Sequence, residues 1–395
     1  MSLSKGMPTA LVLLDLSAAF DTIDHRVLLE CLSSWFGFSD IVLEWFSSYL
    51  SDRLHSVKVG RTLSGQSRLL HGVPQGSVLG PMLFSLYTTP LAKIISSHES
   101  IRYHFYADDT QLYVQITPEN FTTSFSILQN CFSDVQKWMA SSRLKLNPDK
   151  TEFILFGSKT QRNKFACYFP VDILGSTFSP SDKVRNLGVA FDSDFKFSSQ
   201  VTSVCRSCFV GIRDFRRIRR HLTQNTAIVV ANALVSSKLD YCNALLRSLT
   251  VVDLNRLQCV QNTLARIVTR SSKFCHILPV LKSLHWLPIR YRIQFKTLTL
   301  ICKFLNTGTP KYFDHHLTLY SCAVNTRRNS PDQMYLHVPA YKPSVIKSKV
   351  HFQSSFSYDG PTLWNSLPHD IRSASSLSMF RRKLKTYLFR VAFPH

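Results

Sequence analysis

Apolar and polar positions follow two different textures along the chain. In the first half, short apolar runs of strand type are interleaved with stretches of helical spacing. Ala10 to Leu16 reads ALVLLDL, a central-strand run broken only by Asp15. Asp24 to Phe36 then places Val27, Leu28, Cys31, Leu32 and Trp35 on one helical face, with Asp24 as N-cap and Gly37 as stop. Ile41 to Leu50 predicts a second short helix, and GVPQGSVLG at 72–80 a glycine-punctuated loop leading into a helix over 77–91. Residues 101–106 and 111–116 flank Ala107-Asp108-Asp109-Thr110, the pattern of a hairpin with two aspartates at its tip. A helix over 121–142 carries Phe125, Leu128, Cys131, Phe132, Val135 and Trp138 along one side. Strands are expected at 152–157 and 184–191, the latter followed by a turn at Asp192-Ser193-Asp194. Strands and helices mix without a strict βαβ repeat, which predicts an α+β fold.

From about residue 198 strand signals fade. Residues 198–220, 223–248, 251–270 and 289–306 read as helices. The remainder is loop-rich, with Pro331, Pro339, Pro343, Pro361 and Pro368, and ends in a basic helix near 376–390. There is no internal repeat. The chain thus divides into 1–197, a helical region over 198–306, and a basic C-terminal extension over 307–395.

Charge sharpens this picture. Among 395 residues, 45% are hydrophobic, enough for a sizeable core in two or more domains. The formal net charge is +22, which favours a polyanionic partner, nucleic acid or an acidic membrane surface, over a merely basic soluble protein. No run of about 18 apolar residues predicts a membrane helix, and no secretory signal stands at Met1. Ten scattered cysteines in a chain of this length suit a reduced compartment, so an intracellular location, nucleus or cytoplasm, is expected.

Basic residues concentrate at CRSCFVGIRDFRRIRRHL, residues 205–222, where Arg206, Arg213, Arg216, Arg217, Arg219 and Arg220 face one acid, Asp214. A solvated helix face normally alternates in sign; this one-sided run predicts a helix that tracks phosphates. Arg372, Arg381, Arg382, Lys383, Lys385 and Arg390 form a second patch. Cys205 and Cys208 make a lone CxxC without a matching pair, and read as packing residues rather than zinc ligands.

Two adjacent aspartates between strand-type runs raise a chemical question, because aspartate is disfavoured in strands and close like charges repel. A surface turn is one answer. The other is a site for a doubly charged cation, with Asp15 brought alongside Asp108 and Asp109 by neighbouring strands. Three clustered carboxylates suit two Mg²⁺ ions, which clamp the attacking and leaving oxygens of a phosphoryl displacement.

These residues stand in segments that resemble the reverse transcriptase of non-LTR (LINE-type) retrotransposons. LLDLSAAFDTIDH at 13–25, HGVPQGSVLGPMLFSLYTTPL at 71–91, FYADDTQLY at 105–113, LKLNPDKTEFILFG at 144–157 and VRNLGVAFDSDF at 184–195 resemble its palm motifs and primer-grip region in order. SLHWLPIRYRIQFKTLTLICKFLNTGTP and SFSYDGPTLWNSLPHDIR resemble the distal part of such elements. The resemblance implies a right-hand polymerase palm, an antiparallel sheet with packed helices, followed by a helical thumb. It implies an RNA-directed DNA polymerase that joins a deoxynucleotide to a primer 3′-hydroxyl on an RNA template, using two Mg²⁺ ions or Mn²⁺ in their place.

By matched position, Asp15 and Asp108 are the principal metal ligands, Asp109 a neighbouring one, and the carbonyl of Leu16 a further contact. Phe20 takes the place of a steric gate against a ribose 2′-hydroxyl; read alone, it is a core phenylalanine. Gln75 and Gly76 stand where a loop approaches the incoming nucleotide, glycine permitting close backbone contact. Lys150 matches a lysine that neutralises the departing pyrophosphate; its plain reading is a solvated turn residue. Arg213, Arg216, Arg217, Arg219 and Arg220 are assigned to the nucleic acid. The implied partners are RNA template, DNA primer and dNTP, with no membrane. Because Asp15 lies so near Met1, the fingers and an upstream endonuclease are expected to be largely missing, as in a copy truncated at its N-terminus. A fuller copy of the element is then a further partner. The competing expectation is a catalytically inactive, nucleic-acid-binding remnant.

Overall fold

The computed structural model describes residues 7–17, 19–147, 150–173, 176–320, 334–342, 352–353 and 355–394. Pro331 and Pro343 of the expected loop-rich region lie outside them. The chain divides into two compact units, Met7–Val184 and Arg185–His395.

In the first unit the order is β1 (Thr9–Leu14), β2 (Leu16–Ser17), α1 (His25–Phe36), α2 (Asp40–Leu50), β3 (Leu54–His55), β4 (Lys58–Val59), β5 (Thr62–Leu63), β6 (Ser67–Arg68), α3 (Gly80–Ser96), β7 (Arg102–Tyr106), β8 (Asp109–Gln115), α4 (Phe121–Ser141), β9 (Lys145–Leu146), β10 (Glu152–Phe156), α5 (Lys159–Asn163), β11 (Val171–Ile173) and β12 (Ser176–Phe178). A strand apolar on both faces belongs inside a sheet. β1 is such a strand, and the sheet order is β10-β1-β8-β7, antiparallel throughout. Alternate residues share a face: Ala10, Val12 and Leu14 join Leu112, Val114, Phe153 and Leu155 in one core with Leu28 and Leu32 of α1, Phe84 and Tyr87 of α3, and Leu128 and Val135 of α4.

Local signals decide α1. The Asp24 carboxylate accepts from the N–H groups of Arg26 (2.9 Å) and Val27 (3.3 Å), satisfying donors that the first turn leaves orphaned. Gly37 closes the helix at φ +69°, its N–H bonded back to Leu32 and Ser33. The β1 run is shorter than expected. It ends at Leu14, and Leu16–Ser17 change partner to pair with β9. Helix α3 starts at Gly80, because Ser77 closes a turn onto Pro74 and its hydroxyl accepts from the Gly80 N–H. Strands β3 to β6 were not anticipated: each has two residues, too few to show a period, and every residue over 51–68 is exposed.

The second unit is helical. The run at 184–191 is two strands, β13 (Lys183–Asn186) and β14 (Val189–Asp192), because Leu187 and Gly188 between them both take positive φ. Then come α6 (Ser198–Ile218), α7 (Gln224–Ala231), α8 (Ser237–Asp240), α9 (Val251–Thr269), α10 (Ile277–Ser283), α11 (Ile289–Thr307), α12 (Phe356–Asn365), α13 (His369–Arg372) and α14 (Leu377–Ala392). The single helix expected over 223–248 is α7, a π-helical turn at Asn232–Ser236, α8 and a 3₁₀ stretch at Asn243–Ser248. Phe380, Leu384 and Leu388 of α14 are buried with Leu298 and Ile301 of α11 and Trp364 of α12. Described residues beyond 307 therefore share a core with α11. No helix among the described residues is long and apolar enough to cross a membrane.

Candidate active site

The sheet register assembles the carboxylates. Leu14, the last residue of β1, pairs with Thr110 of β8, so Asp15 follows on β1 where Asp109 precedes Thr110 on β8. Tyr106 pairs with Asp109, leaving the two-residue turn Ala107-Asp108, with Ala107 at φ +52°. Both aspartates of the YADD stretch thus stand at the hairpin end beside Asp15. Burial pushes the Asp109 carboxyl above its usual range, and the charges of Asp108 and Asp15 push the same way. Asp15 Oδ2 is buried and accepts no hydrogen bond. Lys150 Nζ lies 3.1 Å from it, an ion-pair contact without hydrogen-bond geometry. The Asp15 carbonyl is held by the Asn147 N–H at 3.0 Å, and Leu16 pairs with Leu146. Lys150 therefore lies on Asp15, and the lysine-bearing segment is tied to β1 through backbone.

Among the described residues, no three His, Cys, Asp or Glu side chains already converge as a cation site. Asp15, Asp108 and Asp109 are coupled by charge rather than drawn to one point. Their donor chemistry, carboxylate oxygen with one buried oxygen free of hydrogen bonds, fits a hard divalent cation.

The glycine loop docks on the segment after Asp15 through a residue that sequence reasoning passed over. The Gly72 N–H donates to the Ile23 carbonyl (2.8 Å) and the Val73 N–H to that of Phe20 (3.0 Å). His25 Nε2 reaches the Gly72 carbonyl at 2.7 Å. Gly72 has φ +84°, and an added Cβ would lie 2.9 Å from backbone atoms of Phe20 and Asp21. Within the protein, the close backbone approach of this loop is at Gly72. Gly76 also has a positive φ, +81°, but a Cβ there would meet nothing within 4 Å. The positive φ favours glycine, and the side a Cβ would take is open. Gln75 Nε2 donates to Asp21 Oδ1 at 2.9 Å, so Asp21 orients the glutamine. Phe20 is half-buried, its ring 4.6 Å from that of Phe84.

The basic run divides. Arg213, Arg216, Arg217 and Arg220 are exposed. Arg213 and Arg217 lie 3.8 and 3.7 Å from Asp214, loose surface pairs. Arg219 is 7% exposed. Its guanidinium donates to the carbonyls of Leu222, Ile267 and Val268, so it joins helix ends instead of facing a ligand. A signal was available: Val201, Cys205, Cys208, Ile212 and Phe215 form the buried line of α6, and Arg219 stands next on it. Cys205 and Cys208 pack in that line, and burial pushes the Cys208 thiol up to about 11.

Known proteins match parts of the chain. The family "reverse transcriptase (RNA-dependent DNA polymerase)" matches residues 2–191. A probable RNA-directed DNA polymerase from transposon BS of Drosophila melanogaster is 28% identical over 209 residues, 52% of this chain and 22% of that protein. The RNA-directed DNA polymerase from mobile element jockey of the same species is 27% identical over 197 residues, 48% of this chain and 20% of the relative. The chain thus spans about a fifth of these relatives' length. A solved telomerase of Candida tropicalis, in complex with a fragment of telomeric RNA, covers 78% of this chain and is covered over 48% of its own, at 14% identity and a TM-score of 0.37. Residues 2–191 thus match the reverse transcriptase family, and the chain is similar over about half its length to RNA-directed DNA polymerases of mobile elements.

Proposed function

We propose that the chain is the palm and thumb portion of an RNA-directed DNA polymerase, extending a primer 3′-hydroxyl with deoxynucleotides on an RNA template. The observation that carries this reading is the strand register that sets Asp15, Asp108 and Asp109 at one end of the sheet, where burial first, and then the charges of Asp108 and Asp15, raise the Asp109 pKa. Lys150, 3.1 Å from Asp15, brings one positive charge to three carboxylates, and a divalent cation would supply the rest. Asp15 and Asp108 would hold divalent metal, with Asp109 beside them. Such ions lower the pKa of an attacking hydroxyl and neutralise charge on the phosphates when bound.

The chain's own residues then have defined tasks. The Phe20 ring, backed by Phe84, closes the space in which a ribose 2′-hydroxyl would lie. Gln75, fixed by Asp21, hydrogen-bonds beside the nucleotide and template. Lys150 releases Asp15 and places its ammonium on the departing pyrophosphate. The exposed Arg213, Arg216, Arg217 and Arg220 bind backbone phosphates of the template–primer. The setting is intracellular, in nucleus or cytoplasm, where template and dNTPs are found.

The second reading, a binding remnant without catalysis, draws on the Lys150–Asp15 pair, which occupies a ligand oxygen with a protein cation. Primer extension on an RNA template with Mg²⁺, comparing the chain with Asp108→Asn, separates the two. Incorporation that falls at least about a hundredfold in the variant supports the polymerase. No incorporation in either, with salt-sensitive template binding in both, supports the remnant.

A further inference from the structure

A groove lies in the second unit, outside the residues that match the reverse transcriptase family. It encloses about 460 Å³ and is lined by Asp370 and Ile371 of α13 and by Arg382, Lys383, Thr386, Tyr387 and Arg390 of α14, with Pro368 at its edge. The orientation of α14 is fixed by its core side. Phe380, Leu384 and Leu388 are buried at four-residue spacing. Arg382, Thr386 and Arg390 repeat the same spacing two residues on, about 200° around the helix and so on the opposite side.

The charge on this face is one-sided. Helix α14 contains Arg381, Arg382, Lys383, Lys385 and Arg390 and no acid. Among the described residues neither Arg382 nor Arg390 has an ion-pair partner. Lys383 is engaged, its ammonium donating to the Asp370 carbonyl at 2.8 Å. Arg372 shows what a structural arginine looks like in the same region: 4% exposed, with its guanidinium on the carbonyls of Asn365 and Leu367 and over the Tyr335 ring. The groove arginines have none of this. They stand about 12 Å apart along the helix at 1.5 Å per residue, with the half-exposed Tyr387 ring in the interval.

We infer that this groove binds single-stranded RNA. Arg382 and Arg390 contact phosphates, and the Tyr387 ring stacks an unpaired base. The Tyr387 ring favours a single strand over a duplex, because only an unpaired base can stack on it. Asp370 selects RNA over single-stranded DNA: a carboxylate among arginines accepts a hydrogen bond, and the 2′-hydroxyl supplies the donor. The inference goes beyond the polymerase reading and needs no catalysis.

The test measures anisotropy of a labelled oligouridine RNA with the full chain carrying Asp108→Asn, so that polymerase failure does not enter. Arg382→Ala/Arg390→Ala is compared with this parent, and Arg382→Glu serves as a second variant, with melting curves of each. The expected result is roughly tenfold weaker binding at 0.15 M salt and a log–log salt slope shallower by about 1.4 for two single-strand phosphate contacts. Oligodeoxyuridine should bind the parent more weakly than the RNA, and Asp370→Asn should narrow that difference. Unchanged affinity and slope in variants that melt as the parent does would overturn the inference. So would an equal loss for duplex DNA, which would make the face a general electrostatic surface.

Discussion

Two aspartates in the first unit receive opposite treatment. Asp24 is 4% exposed, and burial by itself would raise its pKa. The Val27 and Arg26 N–H groups and the Arg143 guanidinium, 2.8 Å from Oδ2, more than offset that and hold the carboxyl below its usual range. At Asp109 burial again pushes the carboxyl up, and the neighbouring charges, Asp108 and Asp15, add to that rise instead of offsetting it. One carboxylate caps a helix and is compensated on every side. The other stands in a group of three carboxylates with Lys150 on Asp15, which leaves negative charge for a bound cation to compensate. The contrast separates a structural acid from a functional one without reference to conservation.

The comparison can be attacked from either side. The largest effect should come from Gly72→Ala, which strikes the loop seated beside the Asp24 cap. A Cβ at 2.9 Å from three backbone atoms, at φ +84°, has no flexible neighbour to displace. A loss of about 3 kcal/mol or more is expected in denaturant unfolding, against about 1 kcal/mol for Gly76→Ala, where only the backbone conformation opposes the change. Asp24→Ala should cost about 2 kcal/mol, since it removes a cap and leaves Arg143 without its partner.

Acidity distinguishes the two aspartates by sign. Asp24 has a folded pKa below its ordinary 3.8, so its contribution is present above that value and is lost as pH falls through the folded pKa. Asp109 has a folded pKa above 3.8. Its unfavourable effect is absent below 3.8, grows as pH rises through the folded value, and is complete above it. Asp109→Asn should therefore raise the Tm of the metal-free chain by about a degree or two at pH 7 and not at pH 3. A lower Tm at pH 7 would show that Asp109 is a structural residue after all. The smallest effect is expected for Lys150→Met. Removing the cation that competes for Asp15 should lower the Mg²⁺ concentration at half-maximal stabilisation about threefold.

Features set by local sequence were legible. The Asp24 cap, the Gly37 stop and the hairpin around Ala107 and Asp108 each depend on a few adjacent residues. The strand-type run before Asp15 and the YADD hairpin were enough to anticipate that the three carboxylates stand at the same end of the sheet. Contacts made at a distance were not legible. Nothing within GVPQG distinguishes Gly72 from Gly76 until Phe20 and Asp21 are seen against one of them. Asp21 became a partner of Gln75 only through that docking. Arg219 was grouped with its neighbours by composition, although its position on the apolar line of α6 sets it apart from Arg220. Charge density marks the stretch; helical phase decides which arginines remain exposed.

The central claim is that Asp15 and Asp108 form a site awaiting a divalent cation. Thermal melting of the full chain with and without Mg²⁺, alongside Asp15→Asn and Asp108→Asn, tests it most directly. The account predicts that Mg²⁺ raises the Tm of the parent and that either substitution abolishes the rise. An equal rise in both variants, or none in the parent, would contradict it.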